Sequence, residues 1–225
     1  MAAREEFELL RDAAPAELDQ LLARARRRRF GADEVVFHAG DPADTLHLIR
    51  KGRFSVRIMT EFGDAATLNV IGPGDAFGEL ALLTPGAPRS ATIVSLEEGE
   101  TLSIHQIEFN ALRERVPTID RFLIGLLAVQ VRRLSGQLVE ALYLPADTRV
   151  RRRLLDVCTA FGPVSPGTVV PLTQEELATL AGTSRATVNK VLREEQAAGT
   201  IELARGRTTL LDPDALERRA RPFAS

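Results

Sequence analysis

The chain has 225 residues, 44% of them apolar and 27% charged, with a formal net charge of −2. That balance excludes a disordered polyelectrolyte, and the length fits two domains or one large one. The single cysteine, Cys158, excludes an intramolecular disulfide framework, a four-cysteine zinc site and a cysteine-held iron–sulfur cluster.

No run approaches the roughly 18 consecutive apolar residues of a membrane helix. The longest candidate, Ile119 to Leu134, is interrupted by Arg121, Gln130, Arg132 and Arg133. Met1 to Arg11 is charged and has no apolar signal-peptide core. A cytoplasmic protein without membrane attachment is the expectation.

Residues 1 to about 28 read as helical, with Leu9, Leu10, Leu18, Leu21 and Leu22 on a broken apolar face and Pro15 starting a second helix. The run Arg26 to Arg29 reads as a solvated helix end, where cations suit the dipole. From Phe30 to about Ser103 the texture becomes β-rich. Short runs recur at 35–37, 46–49, 54–59, 67–71, 91–96 and 100–104, punctuated by glycines. Many short strands between turn residues predict an antiparallel sandwich or barrel. The runs around Gly63-Asp64 read as a hairpin.

Ile107 to Arg115 resumes a helical pattern, and Pro117 interrupts it. A long helix follows from about Thr118 to Leu144. Leu123, Leu127, Gln130, Leu134, Leu138 and Ala141 are spaced close to a coiled-coil seam. A seam of this length needs a partner, either its own β-domain or the same helix of a second chain. Pro145 ends the helix, and Asp147 or Thr148 is expected to cap the next, Arg149 to Ala160. Residues 1–145 hold 17 basic and 21 acidic residues, and 146–225 hold 12 and 10. The second half is thus slightly basic, which permits nucleic-acid binding.

The stretch from Thr173 to Leu192 is the most informative. Thr173 with Glu176 forms a capping box that opens a helix. Gly182 suits a tight corner, and Ser184 caps a second helix from Arg185. Ala178, Gly182 and Val188 let two helices meet closely. That is a helix-turn-helix, whose second helix enters the DNA major groove. Ser184, Arg185, Thr187, Asn189 and Lys190 near its start all donate hydrogen bonds and none is acidic. Gly199–Leu203 and Thr208–Leu211 around Arg205-Gly206-Arg207 read as a two-stranded wing with a basic tip.

A second constellation lies in the β-rich part. Gly78-Glu79-Leu80 follows Pro73-Gly74-Asp75, and Arg89-Ser90-Ala91 follows Gly86. Backbone N–H groups after a glycine hold anions, Arg89 suits a phosphate, and Glu79 suits sugar hydroxyls. A structural salt bridge between Glu79 and Arg89 is the competing reading. There is no Walker A loop, no metal-ligand cluster and no nucleophile–base pair at recognisable spacing, so an enzyme is not expected.

Both segments in this order, with a long helix between, resemble the Crp-Fnr family of transcriptional regulators in its cyclic-AMP receptor branch. The resemblance runs from about Phe30 to Asp212. It implies an α+β fold: an N-terminal antiparallel β-roll of the cyclic-nucleotide-binding type, a long dimerisation helix, and a C-terminal winged helix-turn-helix. The expected divisions are 1–116, 117–145 and 146–225. Carried over, Gly78, Glu79, Leu80, Arg89 and Ser90 form the cassette for the ligand's sugar and phosphate, with cyclic AMP the expected ligand. Two central-helix positions that contact adenine in the family fall at Leu134 and Ser135; Ser135 matches, and Leu134 offers no hydrogen bond. Arg185 and Lys190 match base-reading positions, with Ala186 where an acidic residue is usual, so a half-site either relaxed or different from the usual TGTGA is expected. Thr173, Ser184, Arg205 and Arg207 are expected on phosphates.

The resemblance further implies a homodimer on a two-fold double-stranded DNA site, with RNA polymerase as a protein partner. The alternative is a constitutive or other-ligand regulator. The oxygen-sensing branch needs several cysteines, and Cys158 reads as a buried helix residue. The haem branch needs a ligand pair that His38, His47 and His105 do not form. No metal, haem or iron–sulfur cluster is expected.

Overall fold

The side chains of Thr45–Lys51 alternate between two faces, and both faces are covered. In the computed structural model, which describes residues 19–221 apart from 21, 60–62, 64, 85 and 116–118, this segment is strand β3. Leu46, Leu48 and Ile49 are fully buried and His47 is 1% exposed. Leu46 and Leu48 join Leu82, Ile104, Phe109, Leu112, Leu123 and Leu126 in one core. Ile49 joins Phe30, Phe54, Ile71, Phe77 and Ile93 in another. A strand buried on both faces loses the polar alternation of a half-exposed one.

The strands are β1 (Arg26–Phe30), β2 (Val35–Phe37), β3, β4 (Phe54–Met59), β5 (Ala65–Ile71), β6 (Ala76–Phe77), β7 (Thr92–Ser95) and β8 (Gly99–His105). They form two four-stranded sheets, ordered β1-β8-β3-β6 and β2-β7-β4-β5. The pairs β1–β8, β2–β7, β3–β6, β3–β8 and β4–β7 are antiparallel, with β3 and β8 in register from Thr45↔His105 to Ile49↔Thr101. The expected sandwich is therefore present, and β4 and β5 are neighbours as the hairpin reading requires. Asp64, the early leucines before Leu22, Pro15 and Pro117 lie outside the described residues.

The reading of Arg26–Arg29 as a helix end is wrong: these residues are β1, paired from Arg26↔Ser103 to Phe30↔Gly99. Strand alternation carries Arg27 and Arg29 to 2.6 and 3.6 Å from Glu100 on the paired strand. Phe30 anchors the end of the strand edge-on to Phe54, 5.8 Å between ring centroids. Tertiary pairing overrides the local helical pattern.

Helix α1 is Leu80–Leu83, α2 is Gln106–Arg113 and α3 is Ile119–Tyr143. The seam on α3 also needs correction. Leu123 and Leu126 are buried in the core with Leu46 and Leu48, and Gln130 turns to Glu79. Two seam positions change: the apolar row keeps half-buried Leu127 and exposed Leu134, Leu138 and Ala141, and takes Ile124 and Val131 in place of Leu123 and Gln130, spaced alternately three and four. Ile124, Val131, Leu134 and Leu138 are each more than half exposed. No helix among the described residues is long and apolar enough to cross a membrane.

The C-terminal part holds α4 (Ala146–Ala160), β9 (Val169–Val170), α5 (Gln174–Ala181), α6 (Arg185–Ala197), β10 (Ile201–Ala204), β11 (Arg207–Leu210) and α7 (Pro213–Arg219). Helix α4 begins three residues before the expected Arg149. Pro145 is its N-cap and makes no side-chain cap bond, while Asp147 lies in the first turn and pairs with Arg151 at 2.9 Å. The chain falls into two compact units. One is Met1–Ile58 with Ile71–Leu134, and the other is Met59–Val70 with Ser135–Ser225.

A buried ion cluster ties the second unit together. Glu195 on α6 is fully buried and accepts from Arg151 of α4 at 2.6 Å, Arg219 of α7 at 2.8 Å and Thr200 at 2.8 Å. Burial alone would raise the Glu195 pKa, but the bonds from Arg151, Arg219 and Thr200 outweigh it and hold it below its ordinary value. A depressed carboxylate pKa contributes stability above the unfolded value, and that contribution is lost as pH falls through the folded one. Glu195→Ala leaves the Arg151 charge buried without its main partner, so it should destabilise the protein by about 3–5 kcal/mol at pH 7. In urea unfolding the difference between variant and parent should shrink as the pH is lowered below the ordinary glutamate range.

Candidate functional site

Strand β6 ends at Phe77, and the chain turns at Gly78 with φ 82°. A Cβ at Gly78 would lie 2.7 Å from both Arg89 Nη1 and the Thr45 carbonyl oxygen. Only glycine lets the backbone pass this close over a guanidinium. Glu79 follows as the residue before α1, 7% exposed. Its Oε1 accepts from Gln130 Nε2 of α3 at 3.0 Å. Burial raises the Glu79 pKa, opposed by its backbone bond, Gln130, Arg133 and Arg89.

Arg89 lies under this turn with its side chain 4% exposed. Its main chain is pinned to the 40–41 loop, with N–H to Asp41 O at 2.8 Å and its carbonyl accepting from Gly40 N at 2.9 Å. Nη1 donates to Thr45 O at 2.8 Å, and Nη2 donates to Thr45 Oγ1 at 2.7 Å and Asp44 Oδ1 at 3.3 Å. The guanidinium carbon sits 4.0 Å from the Phe37 ring centroid. Nε is buried with no partner. Burial lowers the Arg89 pKa, with Asp44, Asp41 and Glu79 opposing that.

Each side chain pairs elsewhere than in a Glu79–Arg89 salt bridge. Arg89 is held by Thr45 and Asp44, and Glu79 by Gln130. Ser90 is exposed beside Arg89, and Leu80 is 44% exposed at the start of α1. Leu134 and Ser135 are both exposed on α3. The site thus offers a buried cation with an unspent donor beside a buried carboxylate. That donor set fits an anionic phosphate joined to a hydroxylated sugar.

The second unit builds the other constellation. Thr173 caps α5 with both halves of the capping box: Glu176 N–H donates to Thr173 Oγ1 at 3.2 Å, and Thr173 N–H donates to Glu176 Oε2 at 2.9 Å. Gly182 closes α5 in the left-handed region, φ 59°. Ser184 caps α6 by accepting from Thr187 N at 3.1 Å. Val188 is fully buried against the corner side of α6. The outer face carries exposed Ser184, Arg185 and Lys190, with Thr187 and Asn189 half-buried. Thr187 Oγ1 is 3.0 Å from Ser184 Oγ, and Asn189 accepts from Arg193 at 3.1 Å.

The wing pairs β10 with β11 from Ile201↔Leu210 to Ala204↔Arg207, and β9 adds a third strand. A cleft of about 520 Å³ brings together Thr173, Arg185, Arg205 and Arg207. Ser184, Thr187, Asn189 and Lys190 continue along α6.

Residues 27–116 match the family description Cyclic nucleotide-binding domain, and residues 148–219 match Crp-like helix-turn-helix domain. A CRP-like cAMP-activated global transcriptional regulator of Mycobacterium tuberculosis is 32% identical over 92% of this chain and 93% of its own. A cyclic AMP receptor protein of Thermus thermophilus is 32% identical over 93% and 94%. The chain belongs to the Crp/Fnr family. Among solved structures, the Thermus thermophilus catabolite activator protein covers 94% of this chain and 97% of its own at 32% identity, TM-score 0.54. The c-di-GMP-responsive global regulator CLP of Xanthomonas campestris covers 88% and 99% at 25% identity, TM-score 0.72. Crp/Fnr proteins are DNA-binding transcription regulators with a cyclic-nucleotide-type sensor, not enzymes.

Three residues of this Crp/Fnr regulator escape local sequence reading. Thr45 and Asp44 hold Arg89 from 44 and 45 positions away, with no motif of their own. Gln130 does carry a signal, since a polar residue in an apolar seam marks a position facing elsewhere. Arg149 is the third. Its guanidinium donates to the carbonyls of Leu144, Ala181 and Gly182 at 2.8, 3.0 and 2.9 Å. It thereby fastens the end of α3 to the corner of the helix-turn-helix. Gly78→Ala should displace Arg89 and cut cyclic-nucleotide affinity by about tenfold or more. Calorimetric titration alongside circular dichroism would separate this loss from unfolding.

Proposed function

We propose that this regulator binds a two-fold DNA site as a homodimer under the control of cyclic AMP. The observation that carries the reading is Arg89, buried under Gly78 with its Nε unspent and Glu79 alongside. The cyclic phosphate takes Arg89 and Ser90, and the ribose hydroxyl takes Glu79, with Gly78 and Leu80 lining the turn. The adenine meets Ser135 on α3. Relatives named as cAMP-activated or as a cyclic AMP receptor support this choice of ligand. The working divisions are 1–116 for the sensor, 117–145 for the dimerisation helix and hinge, and 146–225 for the DNA reader.

Coupling follows from the chain itself. A ligand hydroxyl on Glu79 changes what Gln130 meets, and Gln130 sits on α3. That helix ends at Tyr143, and Arg149 donates both to the carbonyl of the next residue, Leu144, and to the carbonyls of the helix-turn-helix corner. The ligand shifts the hinge equilibrium only by its differential affinity for the two arrangements. The active arrangement sets the two α6 helices one DNA turn apart, roughly 34 Å. Arg185 and Lys190 read base edges, with Thr187 and Asn189 beside them, while Thr173, Ser184, Arg205 and Arg207 hold phosphates. Family membership supports RNA polymerase as the protein partner and the cytoplasm as the place of action.

A second reading, regulation by another ligand or by none, rests on Leu134. This leucine occupies the exposed apolar row and offers adenine no hydrogen bond. The regulator CLP, similar in fold, is described as c-di-GMP-responsive.

The deciding experiment measures binding of the purified chain to a palindromic operator at fixed salt. The arms are no nucleotide, cyclic AMP, cyclic GMP and c-di-GMP. Tightening by cyclic AMP alone is the expected result. Equal binding in every arm overturns control by cyclic AMP and leaves a constitutive reader or one with a different ligand, and tightening by c-di-GMP alone moves the ligand.

Arg185→Ala should weaken operator binding by about 1–3 kcal/mol and relax base preference, whereas Arg205→Ala should weaken all sequences alike. Anisotropy titrations against operator variants check both. Leu138→Arg places a charge in the exposed row and should yield monomers in sedimentation, with an unchanged circular dichroism spectrum.

A further inference from the structure

Behind the cassette lies a histidine that the ligand reading does not use. His47 is 1% exposed on β3. Its ring stacks on Phe77, 4.8 Å between centroids and 6° between planes, and Phe77 is the residue before Gly78. Nδ1 lies 3.0 Å from Thr101 Oγ1, and Nε2 lies 3.3 Å from Thr45 Oγ1. Thr101 is fully buried. The same Thr45 hydroxyl accepts from Arg89 Nη2 at 2.7 Å, and the Thr45 carbonyl accepts from Nη1 at 2.8 Å. One polar chain therefore runs Thr101, His47, Thr45, Arg89 through the wall of the roll.

The imidazole is neutral at physiological pH: burial, then the charges of Arg89 and Arg28, lower its pKa to about 3. A neutral ring has one donor and one acceptor nitrogen. With Arg89 donating into it, the Thr45 hydroxyl has a single proton to place, on His47 Nε2 or on Asp44 Oδ1 at 3.1 Å. With that proton on Asp44 Oδ1, Nε2–H donates to the Thr45 hydroxyl and Nδ1 accepts from the Thr101 hydroxyl, so both ring nitrogens are satisfied. The hydroxyl then presents its lone pair to Arg89. Packing alone asks only for a flat ring against Phe77. The two nitrogen contacts are additional, and both lie on the route to the guanidinium.

We propose that His47 is a positioning residue for Arg89, acting through the Thr45 hydroxyl to fix the guanidinium that takes the ligand's phosphate. This rests on the cyclic-nucleotide reading above. It goes further by assigning ligand affinity to a residue that touches no ligand.

The test uses the full chain and two substitutions. His47→Phe keeps the stacked ring and removes both nitrogens. His47→Gln keeps a polar atom towards Thr45. The first readout needs no ligand: the Arg89 side-chain Nε–H signal in nitrogen-15 NMR, assigned with Arg89→Lys. The second is the dissociation constant for cyclic AMP. In His47→Phe the Arg89 signal should shift or broaden, and affinity should fall about five- to tenfold. In His47→Gln both should stay close to the parent, within about twofold in affinity.

An unchanged Arg89 signal and affinity in His47→Phe overturns the proposal, whatever happens to the melting temperature. An Arg89 signal that depends on His47, in a parent that binds no cyclic nucleotide, upholds the positioning role and overturns the ligand reading instead. If His47→Phe does not fold, Thr45→Val removes the hydroxyl and keeps the shape. It should reproduce the shift and the loss, and normal behaviour would overturn the proposal.

Discussion

A guanidinium withdrawn from water is the constraint on which the sensor half depends. Arg89 is 4% exposed in its side chain, and burial of a charge is tolerated only with close polar partners. The fold supplies them from separate places. Strand β3 brings a carbonyl and a hydroxyl, both from Thr45, and the preceding residue brings the Asp44 carboxylate. The Phe37 ring covers one face. The glycine turn after β6 is the only backbone that fits over the top. The loop at Gly40 and Asp41 pins the main chain of Arg89 from behind. Shifting any of these segments uncovers or strands the charge, so the roll is organised as much around a cation as around its aromatic core.

The reading half depends on a different balance. Its geometry is set by caps and a corner: Thr173 and Ser184 start the two helices, and Gly182 takes the left-handed turn between them. Its rigidity comes from Glu195, which joins α4, α6 and α7 from a fully buried position. Arg149 adds a connection of another kind, because its three acceptors are all main-chain carbonyls. Side-chain substitution at Leu144, Ala181 or Gly182 does not remove those acceptors. These three bonds between Leu144 and the corner therefore depend on the Arg149 side chain.

What was legible in the sequence is what local chemistry decides. The capping box at Thr173, the corner at Gly182, the cap at Ser184 and the basic wing tip each follow from residues within a few positions of one another. The six β-rich runs were legible because glycines bound them and their apolar content is high. The strand at Arg26–Phe30 was not, since four arginines carry no strand signal until Glu100 on the paired strand is in place. Helix α4 starts at Ala146 because Pro145 suffices as a cap, whereas a polar capping side chain was expected. The seam differs at Leu123 and Gln130 because both fit its spacing while their side chains turn to the apolar core and to Glu79. The partners of Arg89 and the chain through His47 are long-range contacts, invisible until the sheet brings distant segments together.

The exposed row on α3 has a consequence for dosage. Ile124, Val131, Leu134 and Leu138 lie open in a single chain, and a two-fold operator is served only by a pair. With the proposed pairing along this row, the DNA-competent species grows as the square of chain concentration below the pairing threshold and linearly above it. A doubling of synthesis would then quadruple output in scarce conditions and merely double it in abundant ones. The strength of one apolar helix face would set where a cell's transcription passes from a sharp response to a proportional one.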